Sequence, residues 1–320
     1  MIKPKIVLIA GPTGVGKTET SVLLAKKMNT EIISCDSMQI YRGMDIGTAK
    51  VTKDEMQGVA HHMIDIKEPW ESFSVYDYVS MATPIAMRIN AEGRIPLLVG
   101  GTGLYADSLI KGIDFKKDAG SDEGYRKELE ELSETMGNEH LHDMLKETDP
   151  ESAQTIHPNN VKRVIRALEY YHSTGNKISD YNESTKALES PYNSVRIYFY
   201  RDRQSLYERI DKRVDKMMES GLLNEVRELM SRGLTDGNTA IQALGYKEIV
   251  SFIRGEVSLE EATERIKTDT RHYAKRQLTW FRRDREGIWL NLDEFSSPEE
   301  TADRCLEISV TGFEPSMPDI

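Results

Sequence analysis

Short apolar runs alternate with segments of helical spacing along the first hundred residues. The predicted strands are Ile6–Ala10, Glu31–Ser34 and Ile95–Val99, and the predicted helices between them are Thr18–Met28 and Val75–Asn90. Strands that alternate with helices are typical of an α/β fold, in which helices cover both faces of a parallel sheet. The near-continuous apolar character of the first and third strands agrees with burial on both faces.

The carboxyl ends of these predicted strands carry residues suited to a ligand site. The first strand leads into a Gly-rich turn, the second ends at Cys35 and Asp36, and Gly100–Gly103 follows the third. In a parallel sheet these ends lie along one edge, where ligands bind. We therefore expect the three features to converge on one site.

The pattern changes after about Phe115. Spaced leucines in Asp122–Met136 and Glu139–Lys146 predict helices, residues 176–191 are polar, and Val195–Tyr200 is typical of a return to the sheet. Helices then extend to about residue 285, and we expect weak order in the last ~25 residues, which are acidic and contain proline. The predicted organisation is a catalytic core (1–114 and 192–296), an all-helical insertion domain (115–191) and an acidic C-terminal tail (297–320).

A phosphate-binding motif links the first predicted strand to the first predicted helix. Gly11-Pro-Thr-Gly-Val-Gly-Lys-Thr18 matches G-x-x-x-x-G-K-[ST], so the fold is of the P-loop type. Glycines let backbone N–H groups surround phosphate oxygens, and the following helix directs its positive end at the anion. Lys17 adds a positive charge and Thr18 a hydroxyl for Mg²⁺.

Two features next to this loop bear on its chemistry. Nucleotide-hydrolysing proteins need an acidic residue at a second strand end to help hold Mg²⁺, but Ile95–Val99 leads into Gly100-Gly-Thr-Gly103. The nearest candidate acid is Asp36. It can ligate Mg²⁺ through water, accept a proton from a nucleophile, or simply cap a helix, and its position alone does not separate these roles.

Charge is distributed unevenly along the chain. The net charge of −11 argues against a nucleic-acid partner, but residues 265–285 contain eight basic side chains and two acidic ones. Lys267, Arg271 and Lys275 recur every four residues on one helix face, with Arg282 close to the same line. The segment either binds the phosphate backbone of a nucleic acid or is simply the solvent-exposed face of a helix. Within it, Trp280 and Phe281 are interpreted as core residues.

The remaining composition indicates an intracellular enzyme. Two cysteines, Cys35 and Cys305, fit a reducing compartment, and we expect a cytoplasmic location without a signal peptide or membrane span. The seven histidines show no metal-binding pair, so His61 and His62 are interpreted as structural.

Several motifs together resemble those of the tRNA dimethylallyltransferase family. The most specific is Asp36-Ser-Met-Gln-Ile-Tyr-Arg-Gly-Met-Asp-Ile-Gly-Thr-Ala-Lys50, which follows the P-loop. Other motifs follow in family order over roughly residues 7–290: Gly100-Gly-Thr-Gly-Leu-Tyr105, His157-Pro-Asn-Asn-Val-Lys-Arg163 with Arg166-Ala-Leu-Glu169, Gln242-Ala-Leu-Gly-Tyr-Lys247 and Lys275-Arg-Gln-Leu-Thr-Trp-Phe-Arg282.

The resemblance implies a reaction and its participants. Members transfer a dimethylallyl group from dimethylallyl diphosphate to N6 of the adenosine 3′ to the anticodon of a tRNA, using Mg²⁺, and the P-loop holds the donor's diphosphate. The expected partners are the donor and the tRNA anticodon stem-loop, with the protein acting as a monomer. The leading alternative from the residues is a P-loop small-molecule kinase that uses ATP, and a nucleotide-dependent switch is a third hypothesis.

The resemblance also implies roles for individual residues. Asp36 is the expected general base, with Lys17, Thr18 and either Arg209 or Arg213 assisting the leaving group. Alternatively, Arg209 and Arg213 both form ion pairs with Glu208 and Asp211 on a solvent-exposed helix face and have no role in catalysis. Diphosphate binding is assigned to Gly11, Pro12, Thr13, Gly14, Val15, Gly16, Lys17 and Thr18, and Mg²⁺ to Thr18 with Asp36 through water. Contacts with tRNA are assigned to Asp36, Ser37, Met38, Gln39, Thr102, Arg126, Asn159, Asn160, Val161, Lys162, Arg163, Gln242, Ala243, Leu244, Gly245, Tyr246, Lys247, Lys275, Arg276, Gln277, Leu278, Thr279, Trp280, Phe281 and Arg282.

Overall fold

The computed structural model describes residues 3–113, 122–186 and 189–313. Its strands are β1 (Lys5–Ala10), β2 (Ile32–Ser34), β3 (His61–His62), β4 (Leu97–Gly100), β5 (Asn193–Tyr200) and β6 (Ile288–Asn291). Its helices are α1 (Lys17–Lys27), α2 (Lys53–Met56), α3 (Val75–Ala91), α4 (Gly103–Lys111), α5 (Glu123–Met136), α6 (Asn138–Thr148), α7 (Pro150–Thr155), α8 (Val161–Thr174), α9 (Ile178–Lys186), α10 (Arg203–Glu219), α11 (Leu222–Ser231), α12 (Tyr246–Ile253), α13 (Leu259–Phe281) and α14 (Pro298–Thr311), with a 3₁₀ helix at Thr239–Gln242.

The strands form one parallel sheet in the order β3-β2-β4-β1-β5-β6. Strand β1 lies in the middle and is buried on both faces, which explains its unbroken apolar sequence. Alternate residues of β1 belong to two core clusters, one containing residues of α1 and α14 and the other residues of α3 and α4. The α/β fold class predicted from the sequence is confirmed.

The order of the strands fixes the location of the site. Strands β2, β4 and β1 are neighbours, so the loops that follow them lie side by side at the carboxyl edge. The central backbone bonds include Cys35 N–H to Val99 O at 2.8 Å and Thr102 N–H to Cys35 O at 3.0 Å, which join the end of β2 to the glycine turn after β4.

Some element boundaries differ from the sequence expectations. Strand β4 begins at Leu97 rather than at residue 95, and the two edge strands of the sheet, β3 and β6, were not predicted. The expectation of a weakly ordered C-terminus is wrong for α14, whose Ala302, Cys305 and Ile308 are buried. Small residues produce a weak apolar pattern, although Ser297 caps the helix and Pro298 opens it.

The chain divides into two compact units, one formed by Met1–Ile110 with Pro191–Ile320 and one by Lys111–Ser190. The described part of the second unit contains helices and no strand, around a core that includes Leu129, Leu141 and Leu168. The predicted start of the insert at residue 115 and the last seven residues of the predicted tail lie outside the described residues.

At the amino-terminal edge of the sheet, Glu31 interacts with three basic side chains. Glu31 accepts hydrogen bonds from Arg88 at 2.6 Å and Arg94 at 2.5 Å, and its Oε2 lies 2.6 Å from His62 Nε2. The Arg88 hydrogen bond is the main cause that lowers the pKa of Glu31 to about 2. Within the described ranges, no helix is long and apolar enough to cross a membrane.

Candidate functional site

The Gly11–Thr18 loop connects β1 to α1 at the carboxyl edge. Gly14 and Gly16 have φ values of 78° and 114°, a region in which glycine is the favoured residue. Gly16 is the N-cap of α1, so the free N–H groups of the first helical turn face the space above the loop. The loop therefore has the backbone geometry of an anion site.

Lys17 rests on the loop from which it projects. Its Nζ donates to Gly11 O at 2.9 Å and to Pro12 O at 2.8 Å. Burial, with the nearby Arg213 as the next cause, lowers the pKa of Lys17 to about 8, while Asp36 acts in the opposite direction. A buried cation beside a second cation favours the arrival of an anion.

Two arginines of α10 flank this loop. Arg209 Nε donates to Gly14 O at 3.0 Å, and Arg213 Nη2 donates to Thr48 O at 3.3 Å. Burial lowers the pKa of both, and Asp36 partly offsets this for Arg213. The alternative in which they pair with Glu208 and Asp211 is wrong.

Those two carboxylates have other partners. Asp211 accepts two hydrogen bonds from Arg271, at 2.7 and 2.8 Å, and Glu208 accepts one from Gln204 at 3.0 Å. Within the described residues, neither Arg209 nor Arg213 has a carboxylate within ion-pair distance. Both therefore remain available to a bound anion.

Asp36 follows β2 and stabilises a turn, where the sequence left open that it could cap a helix. Its Oδ1 accepts hydrogen bonds from the N–H groups of Met38 at 2.9 Å and Gln39 at 3.3 Å, so it does stabilise the turn that follows. Its Oδ2 accepts no hydrogen bond from the described residues. One oxygen thus fixes the carboxylate, and the other can take part in chemistry.

Thr102, in the glycine turn after β4, lies beside this carboxylate. Its Oγ1 accepts from Ser37 N–H at 3.1 Å, and it also hydrogen-bonds to Tyr273. Burial, with Asp36 as the next cause, raises the pKa of Tyr273 to about 12. A neutral tyrosine, a threonine and a carboxylate therefore share this part of the site.

Much of the Asp36–Lys50 motif maintains the fold of the loop. Lys50 is buried and donates to Tyr41 O at 2.7 Å and Asp45 Oδ1 at 2.7 Å, with a third bond to Asp65 at 2.5 Å. Glu225 on α11, which sequence reasoning missed, accepts from three successive backbone N–H groups, those of Asp45, Ile46 and Gly47, at 2.7–3.1 Å.

Glu225 also accepts a hydrogen bond from the hydroxyl of buried Tyr246 at 2.6 Å. Gly47 packs so closely on the Tyr246 ring that a side chain there would collide with it. Glu225 could not be identified from the sequence. Its partners are backbone amides of a distant loop, and such contacts require no motif with a fixed spacing of residues.

These groups surround one pocket with a volume of about 780 Å³. Its polar lining includes Thr13, Lys17, Thr18, Asp36, Arg209 and Arg213. Its apolar lining includes Val51, Ile210, Val214 and Leu244. The pocket can therefore hold a ligand that has both anionic and apolar groups.

Several residues predicted to contact tRNA are buried, which corrects their assigned role. Gln277 is 6% exposed, Phe281 is 2% exposed, and Tyr246 and Ala243 lie in the core. Gly245 is also buried, while Leu278, Leu244 and Val161 are half-buried. Trp280 packs against the core and donates from Nε1 to Asp107 at 2.9 Å, so the core interpretation of Trp280 and Phe281 is confirmed.

The basic segment on α13 separates into paired and unpaired cations. Lys267 lies 2.8 Å from Asp215 and Arg271 lies 2.7 Å from Asp211, so these two join α13 to α10 and the expectation of a four-residue backbone grip is wrong for them. Lys275, Arg276 and Arg282 are exposed and have no carboxylate partner among the described residues. Thr279 and Gln242 are also exposed.

The candidates in the second unit also divide. Arg126 makes two 2.8 Å hydrogen bonds to Glu169, which is 1% exposed, so Arg126 holds α5 to α8. Asn159, Asn160, Lys162 and Arg163 are exposed at the start of α8.

Lys247, a further tRNA candidate, belongs to the first unit. Its Nζ lies 3.3 Å from Glu248 and 3.4 Å from Asp269, so its positive charge already has two carboxylate partners.

No group of three or more His, Cys, Asp or Glu side chains in the described ranges could enclose a metal ion. His61 Nδ1 lies 2.9 Å from Val59 O and His62 bonds to Glu31, which agrees with their structural interpretation. A metal at this site would have to be held by few protein groups.

Comparisons with known proteins agree on one family. A family model described as IPP transferase matches residues 39–284, and one described as isopentenyl transferase matches residues 4–69. A protein from Lachnoclostridium phytofermentans named tRNA dimethylallyltransferase is 50% identical over 292 residues, which cover 91% of this chain and 93% of that one. A protein of the same name from Geobacillus thermodenitrificans is 51% identical over 304 residues, 95% of each chain.

Solved structures give the same picture. The crystal structure of a full-length tRNA isopentenylpyrophosphate transferase from Bacillus halodurans superposes with a TM-score of 0.71 at 47% identity, covering 97% of this chain and 98% of that one. The structure of a eukaryotic dimethylallyltransferase acting on tRNA superposes with a TM-score of 0.82 at 29% identity, covering 98% of this chain and 81% of that one.

Proposed function

This chain belongs to the tRNA dimethylallyltransferase family, and we propose that its pocket performs the reaction of that family. A dimethylallyl group passes from dimethylallyl diphosphate to N6 of the adenosine 3′ to the anticodon of a tRNA, and diphosphate leaves. The protein is a transferase that prenylates tRNA.

One observation carries the assignment of roles within the pocket. The phosphate loop, Arg213 and Asp36 line the same pocket, and Asp36 Oδ2 is free of hydrogen bonds from the described residues. The glycine turn after β4 brings no carboxylate to the loop. This combination favours a diphosphate that departs over a nucleotide whose γ-phosphate is attacked.

The donor side acts by stabilising the leaving group. Negative charge develops on the diphosphate as the bond from oxygen to the allylic carbon breaks. Loop N–H groups and the α1 N-terminus are fixed where that charge develops, and such fixed groups lower the barrier because they need no reorganisation. Lys17 adds a positive charge beside them once its ammonium group leaves the loop carbonyls. Thr13 and Gly14 to Thr18 form this diphosphate site in the proposal.

Arg213 is the arginine that we assign to the leaving group. Its guanidinium lies close enough to Lys17 to lower the pKa of that lysine, and close enough to Asp36 for this carboxylate to raise the pKa of Arg213. Arg209 is exposed and reaches the outer side of the loop at Gly14, where it can close over the diphosphate. The deeper arginine is therefore better placed near the breaking bond.

The residues present fit a magnesium ion of the kind that substrate phosphates bring with them. The Thr18 hydroxyl makes no hydrogen bond to the described residues and can ligate the ion directly, whereas Asp36 would meet the ion only through water. Mg²⁺ sites commonly use one or two protein oxygens, substrate phosphates and water. When bound there, Mg²⁺ would neutralise charge on the departing diphosphate.

The acceptor side centres on Asp36. The adenine amine is a weak nucleophile, and removal of its proton as the new C–N bond forms assists the attack. Asp36 Oδ2 is the proposed proton acceptor, while the bonds to Oδ1 hold the carboxylate in place. Thr102 and Ser37, which hydrogen-bond to each other, lie beside it and can orient the nucleotide.

The nucleic-acid surface follows from the exposed and unpaired groups. The target base must leave its stack to reach a pocket, which costs a few kcal/mol. We propose that Lys275, Arg276 and Arg282 on α13 contact the tRNA. In the second unit we propose the same for Asn159, which precedes α8, and for Lys162 and Arg163 on α8. Phosphate contacts by such cations position the RNA.

The kinase alternative has less support. Relatives of similar length that align over more than nine tenths of this chain carry the name of a tRNA-modifying transferase. A cytoplasmic location and a monomeric enzyme complete the proposal.

The test incubates the protein with dimethylallyl diphosphate, Mg²⁺ and unmodified tRNA, then measures the mass of each nucleoside after digestion. We expect one adenosine per tRNA to gain the prenyl group at N6. An unchanged adenosine together with steady ATP turnover would instead favour the kinase.

A further inference from the structure

Gln277 on α13 connects two loops of the site through a single side-chain amide. Its Oε1 accepts from Thr13 N–H at 2.9 Å, and its Nε2 donates to Gly101 O at 2.9 Å. Thr13 lies in the phosphate loop, and Gly101 lies in the turn that carries Thr102. Since the side chain is only 6% exposed, these are its interactions with the protein rather than with a passing ligand.

The glycine turn is shaped to fit α13. A side chain at Gly101 would collide with Gln277 Nε2, and one at Gly103 would collide with the Trp280 indole. The φ angle of Gly101 is not in the left-handed region, so the close approach of Gln277 is the reason for a glycine there. The glutamine and the glycine form one matched contact.

We propose that Gln277 is a positioning residue that sets the distance between the phosphate loop (the donor loop, Gly11–Thr18) and the glycine turn that carries Thr102 (the acceptor turn, Gly100–Gly103). The inference rests on the proposed function, in which the phosphate loop holds the diphosphate and the Thr102 turn faces the nucleotide. A planar amide with both ends hydrogen-bonded fixes the distance and the orientation between them. It acts through these two loops, because both ends of its amide are hydrogen-bonded to the protein.

The effect should fall on the chemical step rather than on donor binding. Loss of the amide releases Thr13 N–H, which can then turn towards the phosphate, so binding of the donor is preserved. The acceptor turn loses its tie to the donor loop, and a misplacement of about 1 Å can cost about 10²-fold in rate. If Gln277 had a purely structural role, its substitution would lower the stability of the protein but would not lower kcat while leaving KM for the donor unchanged.

The experiment compares three variants of the full chain in steady-state prenylation of unmodified tRNA. Gln277→Leu keeps the volume and removes both hydrogen bonds. We expect kcat to fall about 10²-fold, with KM for dimethylallyl diphosphate within about threefold of the wild type. Ala262→Gly, on the same helix but outside the pocket, is the control, with a lower melting temperature and an unchanged kcat.

Gln277→Glu supplies a second measurement if the leucine variant folds poorly. The introduced carboxylate can accept from Thr13 N–H but repels Gly101 O, and when protonated it can donate there. Burial raises the pKa of a carboxyl group, so the protonated form gains as pH falls. The activity of this variant relative to the wild type should therefore increase from about pH 8 to about pH 6.

The outcomes separate this inference from the proposed function. A wild-type enzyme that transfers no prenyl group would overturn the proposed function. An active wild type with unchanged kcat in Gln277→Leu, or with a loss confined to KM, would overturn the inference. So would a pH-independent activity ratio for Gln277→Glu.

Discussion

Replacement of Asp36 by asparagine tests the proposed base with little change of shape. The asparagine Oδ1 can accept the same hydrogen bonds from Met38 and Gln39, so the turn after β2 should persist. The amide nitrogen then occupies the position of Oδ2 and cannot accept a proton. The variant thus removes the reactive oxygen and keeps the structural one.

The magnitude follows from what is lost. General-base assistance is worth about 10²–10⁴-fold, so kcat should fall by that factor, which corresponds to about 3–5 kcal/mol in the barrier. Donor affinity should be unchanged or slightly higher, because a negative charge close to Lys17 and Arg213 is removed. A lower kcat with unchanged or higher donor affinity is the result expected for a general base, whereas loss of a magnesium ligand would weaken donor binding as well.

The assay measures single-turnover transfer to tRNA and, separately, equilibrium binding of dimethylallyl diphosphate. Asp36→Ala is the comparison, because it loses the turn hydrogen bonds as well and should lower stability by about 1 kcal/mol relative to asparagine. The reasoning would be refuted if Asp36→Asn weakened donor binding as strongly as it slowed transfer.

Three further predictions concern residues outside this carboxylate. Arg213→Lys should lower the single-turnover rate much more than Arg209→Lys, because the deeper arginine is the one assigned to the leaving group; equal losses would contradict this. Lys275→Ala should reduce the slope of log affinity for tRNA against log salt by about 1, whereas Lys267→Ala, whose cation is already ion-paired, should leave the slope unchanged in filter binding. Glu31→Gln should lower the melting temperature at pH 7. Since hydrogen bonds from arginine hold the pKa of Glu31 at about 2 against an ordinary 4.5, the stability that it adds is present above pH 4.5 and lost as pH falls towards 2, so the two melting curves should converge there.

The fold was predictable wherever the apolar pattern was strong. Strand β1 is buried on both faces and its sequence is unbroken in apolar residues, so its place in a parallel sheet followed directly. Helix α14 was missed because Ala302 and Cys305 contribute little to a hydrophobic pattern even though both are fully buried. Strand β6 lies at the edge of the sheet, has only one buried residue and was not predicted.

The site was predictable at the level of motifs and less so at the level of roles. The phosphate loop and Asp36 emerged because their chemistry demands fixed residue types at fixed spacing. A motif does not reveal which of its members face solvent, so Gln277 was assigned to RNA although it lies buried between two loops. Glu225 had no motif at all, because its partners are backbone amides almost 180 residues earlier in the chain.

The resting place of Lys17 has a consequence for product release. Its Nζ donates to two carbonyl groups, Gly11 O and Pro12 O. In the proposed function, capture of a diphosphate is an exchange of these partners, and so is its departure. Because the ammonium group can return to the carbonyls, the loop need not retain the spent anion in order to satisfy a buried cation. We expect such an exchange to limit the affinity for the product and so to favour turnover.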